Sequence, residues 1–388
     1  GVMVDLHAHF GDERVAVNYQ QLMEVFEQDS ITVEEGDIYR VIQGDKNLIL
    51  NLNSYRGLQI IDFTDVASPK ILGRVQVSGT PVEMYQVGDR VFVLLNNWYS
   101  YWRSSRYSVT PERHHGGGIV VVDISDKANP KITAQGHIDG WIRTSRLTRG
   151  GGKEALYVVA NEYNGGGQTN VKSFSVSSQG KLLAKTDLAL GGYVQDIQAT
   201  PQRLIVSRYN YNQHQGRSEV SLIDISSPEG DMVEGDSVIA DGYVRNKTNL
   251  DLHDGVLRVV SSNNWSSNTN TNHVQTFDAT NINNLTQIDH KTFGDNEDLY
   301  ATLFMENKAF FVTYRRVDPF HAFEVTSDGF LTEKSEFIVS GWNDYFRPLA
   351  AKPRLIGIGK NDENGTNTMA VSLYDASDLT NTNPLIAR

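Results

Sequence analysis

One strand-like pattern recurs seven times along the chain, and this repeat limits the fold more than any other feature. Each copy is a short apolar run closed by Asp or a small polar residue. The copies are Ile60–Thr64, Val121–Ser125, Phe174–Ser177, Leu222–Ser226, Thr276–Thr280, Phe323–Thr326 and Leu373–Ser377. They are marked by residues 62, 123, 175, 224, 278, 324 and 375, so the steps are 61, 52, 49, 54, 46 and 51. A strand-built unit recurring at roughly 40–50 residues points to a β-propeller rather than a helical solenoid.

A second marker keeps the same beat. Gly36, Gly79, Gly140, Gly191, Gly242, Gly294 and Gly341 each follow one strand and precede another. Glycine suits a sharp crossing from the outer strand of one blade to the inner strand of the next, because it tolerates positive φ. The expected fold is therefore all-β: a seven-bladed propeller over residues 32–388, with about four antiparallel strands per blade. In blade 2 those strands are Val82–Val87, Arg90–Asn96, Gly118–Ser125 and Lys131–Gly136. They are called A to D from the centre outward. Residues 1–31 lie outside the repeat and include an amphipathic stretch, Asn18–Gln28, with Leu22, Val25 and Phe26 on one side. That segment is expected to be a linker, to pack on one face, or to close the ring as a strand beside blade 7. An eight-bladed ring to which it contributes is the alternative.

Composition narrows the partners. The chain has no cysteine, which excludes a disulfide framework and a thiolate-bound metal. No run approaches the 18 or so apolar residues needed to cross a bilayer. The first residues lack the basic start and apolar run of a signal peptide, and a start at Gly1 suits a leader already removed. A net charge of −12 argues against nucleic acid. Loops rich in Asn, Ser, Thr, Tyr and Gly suit a protein that is secreted, periplasmic or displayed on the cell surface, and a monomer is expected. The sequons at Asn246, Asn264, Asn284 and Asn364 carry little weight in so Asn-rich a chain.

Several runs resemble one known family. Val33–Tyr39, Ser54–Asp62 and Gly79–Tyr85 are similar to its opening blades. Leu299–Thr302, Phe311–Pro319, Leu355–Gly359 and His253–Val259 are similar to its later ones. The family is the secreted bacterial and archaeal β-propeller domain family, distantly related to WD repeats, and the resemblance covers about residues 32–388. It implies a propeller outside the cytoplasm and no particular reaction. Leu303 stands where Arg is usual, Phe320 where Leu is usual, and Arg347 where His is usual. An activity carried by those positions would be absent here.

Val4–Phe10 contains Asp5, His7 and His9 in a D-x-H-x-H spacing, which puts both imidazoles on one side of a strand. An amidohydrolase barrel would also need eight helices. Little helical periodicity follows residue 28, so the motif is read as a terminal segment rather than a metal centre.

The connections between strands B and C are the long ones, and long loops on a rigid frame are where binding is usually placed. They carry Trp98, Tyr99, Tyr101, Trp102, Arg103, Arg106 and Tyr107 in blade 2, Tyr163 in blade 3, Tyr211 in blade 4 and Trp265 in blade 5. The crossings add Trp141, Tyr193, Tyr243 and Trp342 to the same face. Flat rings beside Asn, Gln and Arg suit sugar rings or peptide strands. At the channel mouth the expected residues are Glu83, Arg143, Asp196, Arg245, Glu297 and Asp344. Such a mixed ring salt-bridges to itself, or its carboxylates Glu83, Asp196, Glu297 and Asp344 take up calcium. No nucleophile elbow, P-loop or H-E-x-x-H motif is present. The expected function is non-catalytic recognition of a glycan, peptide or cell-surface protein. The alternative is a hydrolase or lyase using the channel carboxylates.

Overall fold

The computed structural model describes residues 31–42, 46–103, 109–163, 167–263, 270–314, 318–339, 342–349, 353–361 and 368–387. Among them are seven antiparallel blade sheets, one per sequence repeat, six of four strands and one, in blade 3, of five. The fold is a seven-bladed β-propeller. Blade 2 runs Thr80–Val87, Arg90–Asn96, Gly117–Asp123 and Lys131–Ile138, within two residues of the strands expected from sequence.

The Asp that closes five of the repeats makes the turn into strand D. Its Oδ1 accepts the backbone N–H two residues on: Thr64 to Asp62 at 3.0 Å and Ser125 to Asp123 at 2.8 Å. Ser226, Thr280 and Ser377 do the same to Asp224, Asp278 and Asp375. A short polar side chain that bonds its own backbone turns the chain locally. In blade 3 Ser177 substitutes, accepting from the N–H groups of Gln179 and Lys181.

Alternating apolar positions put one face of each blade against the next, and six hydrophobic clusters fill the interfaces from blades 1 and 2 to blades 6 and 7. Among the described residues no such cluster joins blade 7 to blade 1. On those two faces Val41, Ile71, Met369 and Val371 are 48%, 54%, 80% and 60% exposed.

A polar clamp orders the interfaces beside the channel. Strand A of blade 3, Trp141–Gly150, has a one-residue bulge at Arg143, and strand A of blade 4, Tyr193–Ala199, has one at Gln195. The residue before each bulge turns its N–H and C=O toward the preceding blade, where a buried Asn meets both. Ile142 N–H donates to Asn96 Oδ1 at 2.8 Å, and Asn96 Nδ2 donates to Ile142 O at 2.9 Å. Asn161 holds Val194 in the same way, at 2.8 and 3.4 Å.

Two glycines depart from the sequence-based expectation. The crossing from blade 3 to blade 4 turns at Gly192, with φ +83°, while Gly191 ends strand D. Gly36 is not at a crossing between blades. A Cβ there would lie 2.6 Å from Glu83 Cβ, so glycine is required for close approach.

The start of the chain also differs. From sequence the ring is expected to begin at Thr32. In the structure Thr32–Glu35 is a fifth strand of the blade 3 sheet, antiparallel to Trp141–Gly150 with Glu35 opposite Arg146. It lies inside strand A, and so in the channel. The chain then passes blade 2, where Asp37 bridges Met84, and blade 1 begins at Tyr39. Residues 1–30, with His7, His9 and the Asn18–Gln28 stretch, lie outside the described residues.

Candidate functional site

Charges on the inserted strand meet charges on the inner strands and on the helical turn, Lys247–Asn249, that leads into blade 5. Glu34 pairs with Arg40 and, at 3.0 Å, with Arg149 of blade 3. Glu35 pairs with Arg146 at 3.4 Å and with Lys247 of blade 5. Arg146 is buried and donates to Ser145 O and Ile197 O, both at 2.7 Å, tying blade 3 to blade 4. Glu83 sits beneath Gly36 and accepts from the hydroxyls of Ser145 and Thr144. Burial raises its pKa above the usual carboxylate value, outweighing the Ser145 hydrogen bond and nearby Arg146. Tyr85 bonds Ser145 at 2.9 Å, and burial followed by the Glu83 charge pushes its phenol pKa up.

The six channel-mouth residues expected from sequence do not form one ring. Arg143 and Asp344 fall on bulges, Glu83 and Asp196 follow theirs by one residue, and Glu297 precedes strand A of blade 6. Asp196 accepts the N–H of Ile197 and of Lys247, each at 2.9 Å. Glu297 accepts from Thr313 Oγ1 at 2.6 Å, and Arg245 donates to Leu299 O at 2.9 Å. Arg143 is exposed. Glu83, Asp196, Arg245 and Glu297 are thus each bonded within or between blades, and neither His/Asp/Glu cluster close enough to share an ion among the described residues includes them.

On the long-loop face the same position behaves in two ways. Trp98 and Tyr163 both stand two residues after a clamp Asn. Trp98 is 4% exposed, donates Nε1–H to Gly117 O at 3.1 Å and stacks on His114 at 4.1 Å. It is a core residue rather than an open ligand platform. Tyr163 is 66% exposed and packs against Tyr193, the first residue of blade 4, at 5.3 Å. One interface further on, Tyr209 meets Tyr243 edge to face at 5.7 Å.

The B–C connection of blade 2 is not an irregular loop. Tyr99–Arg103 pairs with Val109–Arg113 as a two-stranded hairpin, Tyr99 opposite Arg113 and Trp102 opposite Thr110. In blade 4 a helical turn, Tyr211–His214, starts at the Asn210 cap. Arg106, Tyr107 and Trp265 lie outside the described residues, as do the side chains of Tyr99, Tyr101, Trp102, Arg103, Tyr211, Trp342 and Asp344.

Sequence reasoning missed Glu34, Glu35, Arg146, Arg149 and Lys247 as channel residues. Arg146 and Arg149 lie on an inner strand that the repeat assigns to the channel, whereas nothing local places Glu34, Glu35 or Lys247 there. It also passed over Asp241, His273 and His290, which lie far apart in sequence. One ligand atom of each is within 4.8 Å of those of the other two.

The profile of the beta propeller domain matches residues 28–183 and 156–386. The chain belongs to the beta propeller domain family. It is 28% identical over 144 residues to an uncharacterized protein of Methanocaldococcus jannaschii, covering 36% of this chain and 22% of that protein. It is 27% identical over 141 residues to an uncharacterized protein of Archaeoglobus fulgidus, covering 36% and 20%. The matched part is thus about a fifth of the length of those relatives. Similar solved structures include a putative 6-phosphogluconolactonase from Bacteroides fragilis, at 12% identity over 88% of this chain and 94% of that one, TM-score 0.41. A Synechocystis apocarotenoid oxygenase is 11% identical over 92% of both chains, TM-score 0.41. No helix among the described residues is long and apolar enough to cross a membrane.

Proposed function

We propose that this propeller is a non-catalytic recognition domain that works outside the cytoplasm, as a secreted, periplasmic or cell-surface protein. It takes a glycan or peptide on its long-loop face. The observation that carries this reading is Tyr163, a two-thirds exposed ring braced against Tyr193, beside a blade whose own crossing carries the Tyr209–Tyr243 pair. A rigid ring held by a second ring presents apolar area at little entropic cost, and its hydroxyl adds direction. The hairpin from blade 2 rises from the same face.

The alternative, hydrolysis or elimination at the channel mouth, finds less support. Glu83 has the raised pKa of an acid catalyst, but Gly36 covers it and two hydroxyls occupy it.

A glycan and peptide array with the purified domain tests the proposal, run beside Tyr163→Ala and Trp102→Ala. Loss of a hit by roughly tenfold or more in either variant, with unchanged melting temperature, is expected. Hits that survive both variants would move the site off this face. Turnover of any arrayed polymer that Glu83→Gln abolishes would establish the enzyme reading instead.

A further inference from the structure

Blade 5 carries a cluster with no part in the channel or the aromatic face. Asp241 lies on the crossing into blade 5, His273 on strand C (Asn272–Asp278) and His290 on strand D (Thr286–Phe293). His290 pairs with Gln275, so His273, Gln275 and His290 share one face of the blade. Asp241 reaches that face from the side.

The cluster is a chain of hydrogen bonds with one consistent assignment of protons. Asn263 Nδ2 donates to His273 Nε2 at 2.9 Å. His273 Nδ1–H then donates to His290 Nε2 at 2.9 Å, and His290 Nδ1 faces Asp241 Oδ2 at 3.5 Å. Both imidazoles are neutral in this arrangement, which a metal requires of its histidine ligands.

We propose that Asp241, His273 and His290 form a site for a divalent transition cation of the zinc class. Zinc bonds of roughly 2.0–2.1 Å place tetrahedral ligand atoms about 3.3 Å apart. The His273 Nδ1–His290 Nε2 separation of 2.9 Å is close to that spacing. Each residue contributes one atom, and these already lie within 4.8 Å of one another, so side-chain torsions suffice to converge them. A nitrogen-rich donor set selects zinc and its neighbours over calcium or magnesium, which prefer all-oxygen shells.

The surroundings are those of an oriented site. Gln275 Nε2 donates to Asp241 Oδ2 at 3.1 Å, while Gln275 Oε1 accepts the Asp241 N–H at 2.8 Å. Gln287 holds Gln275 in turn at 3.0 Å. Asn263 occupies the far nitrogen of His273. Outer partners of this kind fix ring orientation and ligand direction in metal sites. Arg217 approaches the other Asp241 oxygen at 3.7 Å and leaves Oδ2 to the cluster. Three protein ligands leave a fourth position for water or an anionic group of a bound molecule.

The test is calorimetric titration of the chelator-stripped protein with zinc chloride, paired with the visible spectrum of the cobalt(II) form. The expected result is one ion per chain and the intense absorption of tetrahedral cobalt. Asp241→Asn and His290→Ala should abolish both, and Gln275→Leu should weaken binding about tenfold or more. Asp241 and His290 are partly exposed, so these variants are expected to fold, and circular dichroism checks that they do. Zinc binding that survives both ligand variants, as at the His7/His9 motif, would overturn the proposal. So would no binding in the wild-type protein at millimolar zinc.

Discussion

Replacing Asn96 tests whether the interface clamps hold the ring together. The side chain is 2% exposed, and its two bonds are the partners seen for Ile142 N–H and Ile142 O. Asn96→Ala leaves both buried groups unpaired, at about 1–3 kcal/mol each. Some desolvation of the amide is recovered, so the net loss is about 3 kcal/mol. Unfolding entropy is about 2.1 cal/mol/K per residue, or roughly 0.8 kcal/mol/K for a chain of 388 residues. The melting temperature should therefore fall by about 4 °C. Asn96→Leu separates the causes, because it refills the volume and bonds nothing. If the hydrogen bonds matter, Leu costs as much as Ala; if the cost is a cavity, Leu restores stability. Asn129→Ala, which removes only an exposed bond to Asp126, is the control and should change stability by less than about 0.5 kcal/mol. Thermal unfolding followed by circular dichroism reads all three. Recovery in the Leu variant, or an Ala variant no worse than the control, would refute the reasoning.

Two further predictions concern pH and the seam between the first and last blades. The turn aspartates Asp62, Asp278 and Asp375 have pKa values lowered chiefly by the hydroxyls of Thr64, Thr280 and Ser377. Asp123 is lowered chiefly by the Ser125 N–H, and at Asp224 the Ser226 bonds and Arg203 overcome an opposing burial effect. A carboxylate whose folded pKa lies below its unfolded value adds stability above the unfolded pKa and loses it as pH falls through the folded one. The melting temperature should thus drop as pH falls below about 4, and more shallowly in a variant carrying Asp→Asn at all five turns. Equal slopes in both proteins would disprove the assignment. At the seam, Val371→Asp should move the melting temperature by no more than about 2 °C, because the side chain is already 60% exposed. A loss comparable to that of a core substitution would show that blades 7 and 1 pack against each other in solution.

What could be read from sequence was local. The repeat, the blade boundaries and the Asp turns each depend on residues close together along the chain. Period-two alternation determines which face of a strand is apolar, and an Asp two residues before an N–H needs no distant partner. The position of Tyr163 was equally legible. Its exposure was not, because Trp98 at the matching position is buried by His114 and Gly118. The tertiary structure decided what depends on closure. It carried Thr32–Glu35 into the channel, set Glu35 against Arg146 and Lys247, and split the expected ring of channel charges into separate inter-blade bonds. It also brought Asp241 to His273 and His290. These contacts join residues that are not neighbours in the chain, and strand pairing within a blade and the angle between blades bring them within reach. No local pattern encodes either the pairing partner of Thr32–Glu35 or that angle. The angle follows from how the side chains of adjacent sheets interdigitate, which is a property of the packed ring.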